Sequence, residues 1–458
     1  MKVLHYMFGI PPVRTGGMVR YAADLMVQQM QMGADVSLLI PGRISLFGDC
    51  GQKTKVFKRR KDFRKIPTYM IFHPLPIPMC NGILDIKAYT KSCNQEAFRL
   101  FLQELCPDII HIHTFMGLHR EFLTQARSMG IPIVFTTHDY FGICPAAVML
   151  FQGNLCEDKQ WEKCGECSKA AFGKSRWCLE QSGIYRIFRK HHWMVMLAKK
   201  AVRLFTLLAG QEKGRSGAFW QPDYTLLQEY YMSMFRMVSA FHYNSSVAKK
   251  IYESRLGRRK GSVILISHAG IADNRRRYHY GKILRIGYFG SWVSYKGFFD
   301  LLKVCSRLYE EGCTDLELHL YSDTASRKEK FVRNHPYFTT EQMDSIIRSI
   351  DVLAVPGRWP ETFGLAALEA VSYGVPVIVS EHTGAKDILE GAALGGFVYD
   401  GSRQGLQRVL KEIYWHRELL VQANSDIVHM DHKFDYPSHV QEILNMYQQL
   451  ILINNRRK

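Results

Sequence analysis

Two glutamates with seven residues between them could hold the two ends of one polar ligand. Glu361 lies in a predicted loop and Glu369 in the helix that follows, so the helical rise places the second carboxylate roughly 8 Å beyond the helix start. At that start, the N–H groups of Phe363, Gly364 and Leu365 are unpaired and suit a phosphate or a sugar oxygen. Carboxylates accept hydrogen bonds from hydroxyls. A ligand composed of sugar, diphosphate and ribose therefore fits.

The glutamates are positioned by a predicted strand–loop–helix–strand unit. Apolar residues 352–355 and 377–380 have the length and composition of buried strands. The helix between them stops at Gly374 and Pro376, which are typical residues at a helix end. This order of elements predicts a parallel α/β sheet.

The run PETFGLAALEAVSYGVPVIVS, with its E-x7-E spacing, resembles the signature of retaining GT-B glycosyltransferases, in particular the family-4 glycosyltransferases. The resemblance implies an α/β fold of the GT-B type, in which two Rossmann-like, doubly wound domains face each other across a cleft. It also implies that Glu361 contacts the sugar of a UDP- or GDP-linked donor, and that Glu369 holds the ribose hydroxyls. The sugar would then pass to an acceptor hydroxyl with retention of configuration.

Three residues near the amino-terminal strands also match the resemblance. Gly16 and Gly17 lie at the predicted turn between the first strand and the first helix, where the backbone can approach a donor phosphate or the acceptor. His138, in TTHD, follows a strand and matches a histidine that contacts the donor sugar. As a single histidine, His138 could instead be a core residue whose ring is hydrogen-bonded to a neighbour. Asp139 could orient His138 or bind the acceptor.

A third loop is expected to hold the diphosphate of the sugar donor. Lys296 matches the family's phosphate-binding lysine, whereas Ser291 stands at the position of its arginine, so one positive charge is missing. Helix-start amides and Arg358 could compensate. No D-x-D motif is present, and helix amides with Lys296 can neutralise a leaving diphosphate, so we expect no cofactor requirement and no catalytic metal.

The resemblance covers most of the chain and predicts its domains. We expect an acceptor-side Rossmann-like domain over 1–272, with a cysteine-rich, basic insertion at about 144–235. A nucleotide-sugar-binding Rossmann-like domain follows over 282–436. A final helix within 437–458 would cross back to the first domain.

The composition restricts the class of protein and its partners. The 458 residues are 47% hydrophobic and 22% charged, which indicates a globular protein rather than a disordered one. The net charge of +18 favours anionic partners. No spanning segment or signal peptide is apparent, so we expect a cytoplasmic protein that contacts the inner face of the membrane peripherally. Two basic, aromatic stretches, 58–78 and 185–205, could lie on anionic lipid or be ordinary solvated surface.

Five of the eleven cysteines occur in one short stretch, 144–178, and two of them form a CxxC. Four thiolates could bind a structural zinc ion. Reduced buried thiols and a redox pair remain alternatives. The five are Cys144, Cys156, Cys164, Cys167 and Cys178.

The predicted function is transfer of a sugar from a nucleotide sugar to a glycan or lipid-linked acceptor, in the assembly of cell-envelope glycan or exopolysaccharide. Alternatives are a GT-B epimerase or phosphorylase, or a basic binding or scaffold protein. The sequence carries no helix-turn-helix, OB or RRM pattern, so nucleic acid is not expected as a partner.

Overall fold

The structure is a computed structural model of the 458-residue chain. It describes residues 1–43, 54–156, 161–169, 171, 173, 181–182, 223–322, 326–336, 338, 342–389, 396–431 and 434–456. The basic, aromatic stretch 185–205 lies outside these residues, as does Cys178.

The first half of the chain forms a sheet of eight described strands in the order β10-β9-β6-β5-β1-β2-β4-β3, parallel except for the β3–β4 pair at one edge. A separate two-stranded hairpin, β7–β8, is antiparallel. The strands are β1 (Lys2–Tyr6), β2 (Asp35–Pro41), β3 (Lys55–Lys58), β4 (Thr68–Phe72), β5 (Ile109–Ile112), β6 (Ile133–Thr136), β7 (Leu150–Phe151), β8 (Asn154–Leu155), β9 (Ala240–Tyr243) and β10 (Gly261–Val263).

Helices connect these strands, as parallel neighbours require. The first helix follows the predicted apolar face, and its Ala22, Leu25 and Met26 are buried. The described helices of this half are α1 (Gly17–Gln31), α2 (Ile86–Tyr89), α3 (Glu96–Leu105), α4 (Arg120–Ser128), α5 (Cys164–Cys167), α6 (Tyr224–Met237) and α7 (Ser246–Leu256).

The second half forms a fully parallel sheet of six described strands in the order β13-β12-β11-β14-β15-β16. Its strands are β11 (Leu284–Phe289), β12 (Leu316–Tyr321), β13 (Val332–His335), β14 (Val352–Val355), β15 (Val377–Ser380) and β16 (Gly396–Tyr399). Its helices are α8 (Phe298–Glu310), α9 (Met343–Ile347), α10 (Leu365–Ser372), α11 (Arg403–Trp415) and α12 (Glu418–His429). The predicted fold class, two Rossmann-like α/β units with parallel sheets, is confirmed.

The last helix, α13 (Tyr436–Asn455), begins with Pro437 in its first turn and returns to the first half. Its Asn454 donates a hydrogen bond from Nδ2 to the carbonyl oxygen of Gly130 at 2.6 Å. Its His439 ring lies 3.1 Å, Nε2 to OH, from Tyr21 of α1. The domain boundaries at 272, 282 and 436 stay a prediction. No described helix has both the length and the apolar character needed to cross a lipid bilayer.

Candidate active site

A cleft cavity of about 850 Å³ lies between the two halves, at the carboxyl ends of the strands. Parallel strands end at one edge of their sheet, so the loops after β6, β11 and β14 meet there. Eight of the ten predicted site residues line this cavity: Gly17, His138, Lys296, Glu361, Phe363, Gly364, Leu365 and Glu369. Gly16 and Ser291 are not among its lining residues. Gly16 directly precedes α1, and the carbonyl oxygen of Ser291 accepts a hydrogen bond from Tyr288 at 2.9 Å.

Two helix starts that are preceded by glycine border the cavity, one from each half of the molecule. Gly364 precedes α10 with φ 99°, and Gly16 precedes α1 with φ 121°, both in the region that favours glycine. Neither helix start has a side-chain cap. A Cβ on Gly17 would lie 3.3 Å from Leu365 Cδ1, so the two starts pack closely. Unpaired N–H groups from both halves therefore border one space that suits an anionic ligand.

Lys296 and Glu361 form an ion pair in the cavity, with Nζ 3.1 Å from Oε1. The carboxylate raises the pKa of Lys296 above its ordinary value, so the ammonium stays charged. Gly297 allows the segment that carries Lys296 to pack against Pro356, because a Cβ at Gly297 would lie 1.7 Å from the carbonyl oxygen of Pro356. The pair places a cation beside the α10 start and a carboxylate at its edge.

Glu369 is held from the opposite half of the molecule. Arg20 of α1 donates from Nη1 to its Oε1 at 2.9 Å, and His268 lies 3.1 Å from the same oxygen through Nε2. The Gly270 N–H donates to His268 Nδ1 at 3.1 Å, so Nε2 carries the ring proton and donates to the carboxylate. Neither Arg20 nor His268 was predicted from the sequence as a site residue. Their only sequence signal is the position of Arg20, one turn after the Gly16–Gly17 pair.

Arg358, suggested from the sequence as a compensating phosphate contact, forms an ion pair with Asp300 in the structure. Its Nε lies 2.5 Å from Asp300 Oδ2, and Arg403 binds the other oxygen of the same carboxylate at 2.8 Å. Arg358 is also absent from the described lining of the cavity. Among the described lining residues, the cationic side chains are Arg20 and Lys296, so Arg20 brings the second positive charge that Ser291 lacks.

His138 lines the cavity and is hydrogen-bonded to a buried chain of side chains rather than to Asp139. Its Nε2 lies 3.2 Å from His113 Nδ1, and His113 Nε2 lies 3.1 Å from His5 Nδ1. The His5 ring then reaches Gln29 Oε1 at 2.8 Å through Nε2. His111, close to His5 and His113, bonds to Tyr447 and to Thr136, so both nitrogens of each of these three rings are engaged.

The chain fixes which nitrogen of His138 carries a proton. An amide oxygen only accepts, so His5 donates from Nε2 and accepts at Nδ1. His113 must then donate from Nε2, and His138 must donate from Nε2 to His113. Burial lowers the pKa of His138 well below its ordinary value, so the ring is neutral. Its Nδ1 is left as a hydrogen-bond acceptor for a hydroxyl.

The loop that carries His138 is joined to the Glu361 loop by direct hydrogen bonds. Thr362 Oγ1 donates to the carbonyl oxygen of His138 at 3.0 Å, and Ser245 Oγ donates to the carbonyl oxygen of Thr362 at 2.6 Å. Next to His138, burial raises the pKa of Asp139 to about 6, and its Oδ1 accepts from the Phe141 N–H at 2.8 Å. These bonds set the position of the histidine relative to the carboxylate.

Two family models match the chain, one in each half. "Glycosyltransferase Family 4" matches residues 15–154, and "Glycosyl transferases group 1" matches residues 283–414. An uncharacterized glycosyltransferase of Methanocaldococcus jannaschii is 29% identical over 112 residues, which is 24% of this chain and 28% of that relative. The matched stretch therefore covers only about a quarter of the relative.

Solved glycosyltransferase structures share the fold over nearly the whole chain. Sucrose-phosphate synthase from Thermosynechococcus elongatus superposes with a TM-score of 0.56 at 12% identity, covering 99% of both chains. Anabaena HepE, solved in complex with UDP, gives 0.56 at 14% identity, covering 98% of this chain and 100% of that one. A glycosyltransferase from Rickettsia africae gives 0.56 at 12% identity, covering 98% of each.

The fold, the cleft and the two family matches together define the class. The chain is an enzyme, a glycosyltransferase with the GT-B fold. The epimerase, phosphorylase and scaffold alternatives are not favoured by these matches.

Proposed function

We propose that the enzyme transfers a sugar from a UDP- or GDP-linked donor to an acceptor hydroxyl with retention of configuration, as in the family-4 glycosyltransferases. The observation that carries the proposal is the arrangement at the α10 start. Two carboxylates line the cavity and each is paired with a cation: Glu361, in the loop before α10, with Lys296, and Glu369, on α10 itself, with Arg20. A ligand with sugar, diphosphate and ribose in this order would meet a carboxylate, then N–H groups and cations, then a carboxylate.

Each side chain has a distinct role in this proposal. Glu361 and His138 bind hydroxyls of the donor sugar, with His138 accepting at Nδ1. Lys296, together with the amides of Phe363, Gly364 and Leu365, binds the diphosphate and stabilises it as it leaves. Glu369 accepts hydrogen bonds from the ribose hydroxyls.

The reaction breaks the bond between the anomeric carbon and the diphosphate oxygen, and forms one to the acceptor oxygen on the same face. The departing phosphate oxygen takes the acceptor proton. Gly17 borders the path of the diphosphate and the acceptor, while Gly16 and Ser291 lie next to lining residues in the chain, at Gly17 and Gly290. The chemistry requires no metal in this proposal, because charge on the leaving group is met by Lys296 and the helix-start amides.

The ribose contact gives a direct test that needs no knowledge of the acceptor. Wild-type protein should bind UDP or GDP about tenfold more tightly than the 2′,3′-dideoxy analogue, since hydrogen bonds to a carboxylate are worth about 1.5 kcal/mol or more. Glu369→Gln should lose most of that preference in isothermal titration. Glu412→Gln, on an exposed part of α11, is the control and should keep it. Equal affinity of the wild-type protein for both nucleotides would refute the ribose role of Glu369.

The catalytic role is tested at Glu361. Glu361→Gln keeps the shape of the side chain but removes its charge, so nucleotide binding should change little while the rate of sugar transfer or donor hydrolysis falls about a hundredfold or more. Glu412→Gln again serves as the control. A variant with wild-type rate would contradict the assignment.

We further propose a cytoplasmic enzyme that acts on a glycan or lipid-linked acceptor of the cell envelope at an anionic membrane surface. The support is the net charge of +18 and the basic segment 58–65, in which Lys58, Arg60, Lys61 and Lys65 are exposed. Sedimentation with vesicles tests this proposal. Binding to phosphatidylglycerol vesicles but not to phosphatidylcholine vesicles is expected, and replacing these four residues with Gln should weaken it. Equal binding to both lipids would contradict it.

A further inference from the structure

Four cysteines from three separate segments converge on one small cavity in the first half of the molecule. Cys144 lies in the loop after β6, and Cys156 directly follows the β7–β8 hairpin. Cys164 and Cys167 are at the two ends of α5. All four line a cavity of about 140 Å³, and none of them forms a disulfide. Convergence of four sulfur ligands, including a CxxC on one helical turn, is the arrangement typical of structural zinc sites.

A divalent cation among the four sulfurs would favour their thiolate forms.

Backbone and basic groups are already placed to stabilise negative sulfurs. The Cys144 sulfur accepts hydrogen bonds from the backbone N–H groups of Ala146, Val148 and Met149. Arg255 lies 3.7 Å, Nη2 to Sγ, from Cys156 and also donates to its carbonyl oxygen. Four thiolates and one divalent ion carry a net charge of about −2, and these outer contacts offset it.

We propose that Cys144, Cys156, Cys164 and Cys167 bind one zinc ion. Zinc–sulfur bonds of about 2.3 Å in a tetrahedron require sulfurs about 3.8 Å apart. Among the described residues, the groups whose ligand atoms all lie within 4.8 Å do not include these thiols. Binding therefore draws the sulfurs inward from the cavity wall.

The zinc ion would stabilise the position of the β7–β8 hairpin beside the active site. Cys156 follows β8, and Cys167 Sγ lies 3.6 Å from the Leu150 carbonyl oxygen, so both flank the hairpin. At the hairpin tip, a Cβ on Gly153 would lie 3.6 Å from Arg358 Nη1, in the loop that leads to Glu361. Zinc binding thus holds a segment of the first half against the catalytic loop of the second.

The experiment measures metal in the full-length protein, purified from cells grown with added zinc. Elemental analysis should find about one zinc per chain in the wild type. The double variant Cys164→Ser/Cys167→Ser should lose it. The exposed Cys106→Ser should keep it and is the matched control. If the double variant does not fold, wild-type protein treated with a chelator takes its place.

Cysteine labelling and hydrogen exchange give readouts independent of catalysis. In zinc-loaded protein, iodoacetamide should label the four cysteines much more slowly than Cys106. Chelation should remove this protection, speed amide exchange over 150–156, and be reversed by zinc. The proposal is overturned by zinc-free wild-type protein whose four thiols react as fast as Cys106, by a Cys164–Cys167 disulfide in the purified protein, or by iron in place of zinc. None of these outcomes depends on nucleotide-sugar binding.

Discussion

Arg20 and Glu369 lie 349 positions apart in the sequence, yet the arginine donates from Nη1 to the carboxylate at 2.9 Å across the cleft. The arginine belongs to the first helix of one half, and the glutamate belongs to the short helix whose start borders the cavity in the other. His268 shares the same carboxylate oxygen at 3.1 Å. The contact joins the two halves and places a positive charge in the cavity.

Arg20→Gln should weaken nucleotide binding, because the cavity loses one of the two cations among its described lining residues. We expect the Kd for UDP or GDP, measured by calorimetry at low salt, to rise about tenfold or more. Arg64→Gln is a matched control, since Arg64 binds Asp24 of the same helix α1 at 2.7 Å, outside the cavity. An unchanged Kd in Arg20→Gln would show that Arg20 only links the two halves.

Gly297→Ala should disturb the loop that carries Lys296. A Cβ at Gly297 would lie 1.7 Å from the Pro356 carbonyl oxygen, and its φ is +73°. Gly312→Ala is the control, because Gly312 also has a positive φ, +101°, but its Cβ would meet nothing within 4 Å. Both variants carry about 1 kcal/mol of backbone strain. Only Gly297→Ala adds a clash, so it should have the lower melting temperature and weaker nucleotide binding. Equal melting temperatures would contradict this account.

Gln29→Leu should allow either ring nitrogen of His138 to carry the proton, although Gln29 does not contact His138. Gln29 Oε1 begins the chain of hydrogen bonds through His5 and His113 that makes His138 donate from Nε2. Nitrogen NMR of labelled histidine should show a single tautomer in the wild type and a mixture in the variant. The rate should fall about fivefold, for ~1 kcal/mol of misplaced hydrogen bonding. Gln28→Leu, on the same helix, should change neither; a single tautomer in Gln29→Leu would refute the relay.

The buried histidines should make the protein sensitive to acid. Burial lowers the pKa of His5 and His242 to about 4, and that of His439 to about 3, against 6.5 in the unfolded chain. The unfolded state therefore binds more protons between pH 6.5 and 4, so the free energy of unfolding falls as the pH falls through this window. Above pH 6.5 these histidines are neutral in both states, so they add no pH dependence to the free energy of unfolding.

Each such histidine contributes a slope of about 1.4 kcal/mol per pH unit within that window. Melting temperatures measured from pH 7.5 to 4.5 should therefore decline steeply below pH 6.5. His242→Gln should reduce the slope of the free energy of unfolding against pH by about 1.4 kcal/mol per pH unit, which corresponds to one proton. The exposed His416→Gln should leave this slope unchanged. A stability that does not vary between pH 6.5 and 4.5 would mean that these rings titrate normally.

Local patterns were sufficient to predict the fold class and the unit that carries Glu361 and Glu369. The strands at 352–355 and 377–380 have the predicted bounds, because continuous apolar runs bounded by glycine and proline have few alternative structures. The final helix was predicted from Pro437 and begins one residue earlier, at Tyr436.

Residue types and spacing thus determined two α/β halves, a helix start suited to an anion, and carboxylates at its flanks. Only the tertiary structure decided the partners of those groups. It paired Arg20 with Glu369 and Arg358 with Asp300. It also connected His138 to Gln29 by hydrogen bonds through the buried rings of His113 and His5. The physical reason is how far apart along the chain the interacting residues lie. Backbone periodicity and helix ends depend on neighbours within a few residues, whereas an ion pair or a hydrogen-bond chain depends on which distant segments the packed sheets bring together.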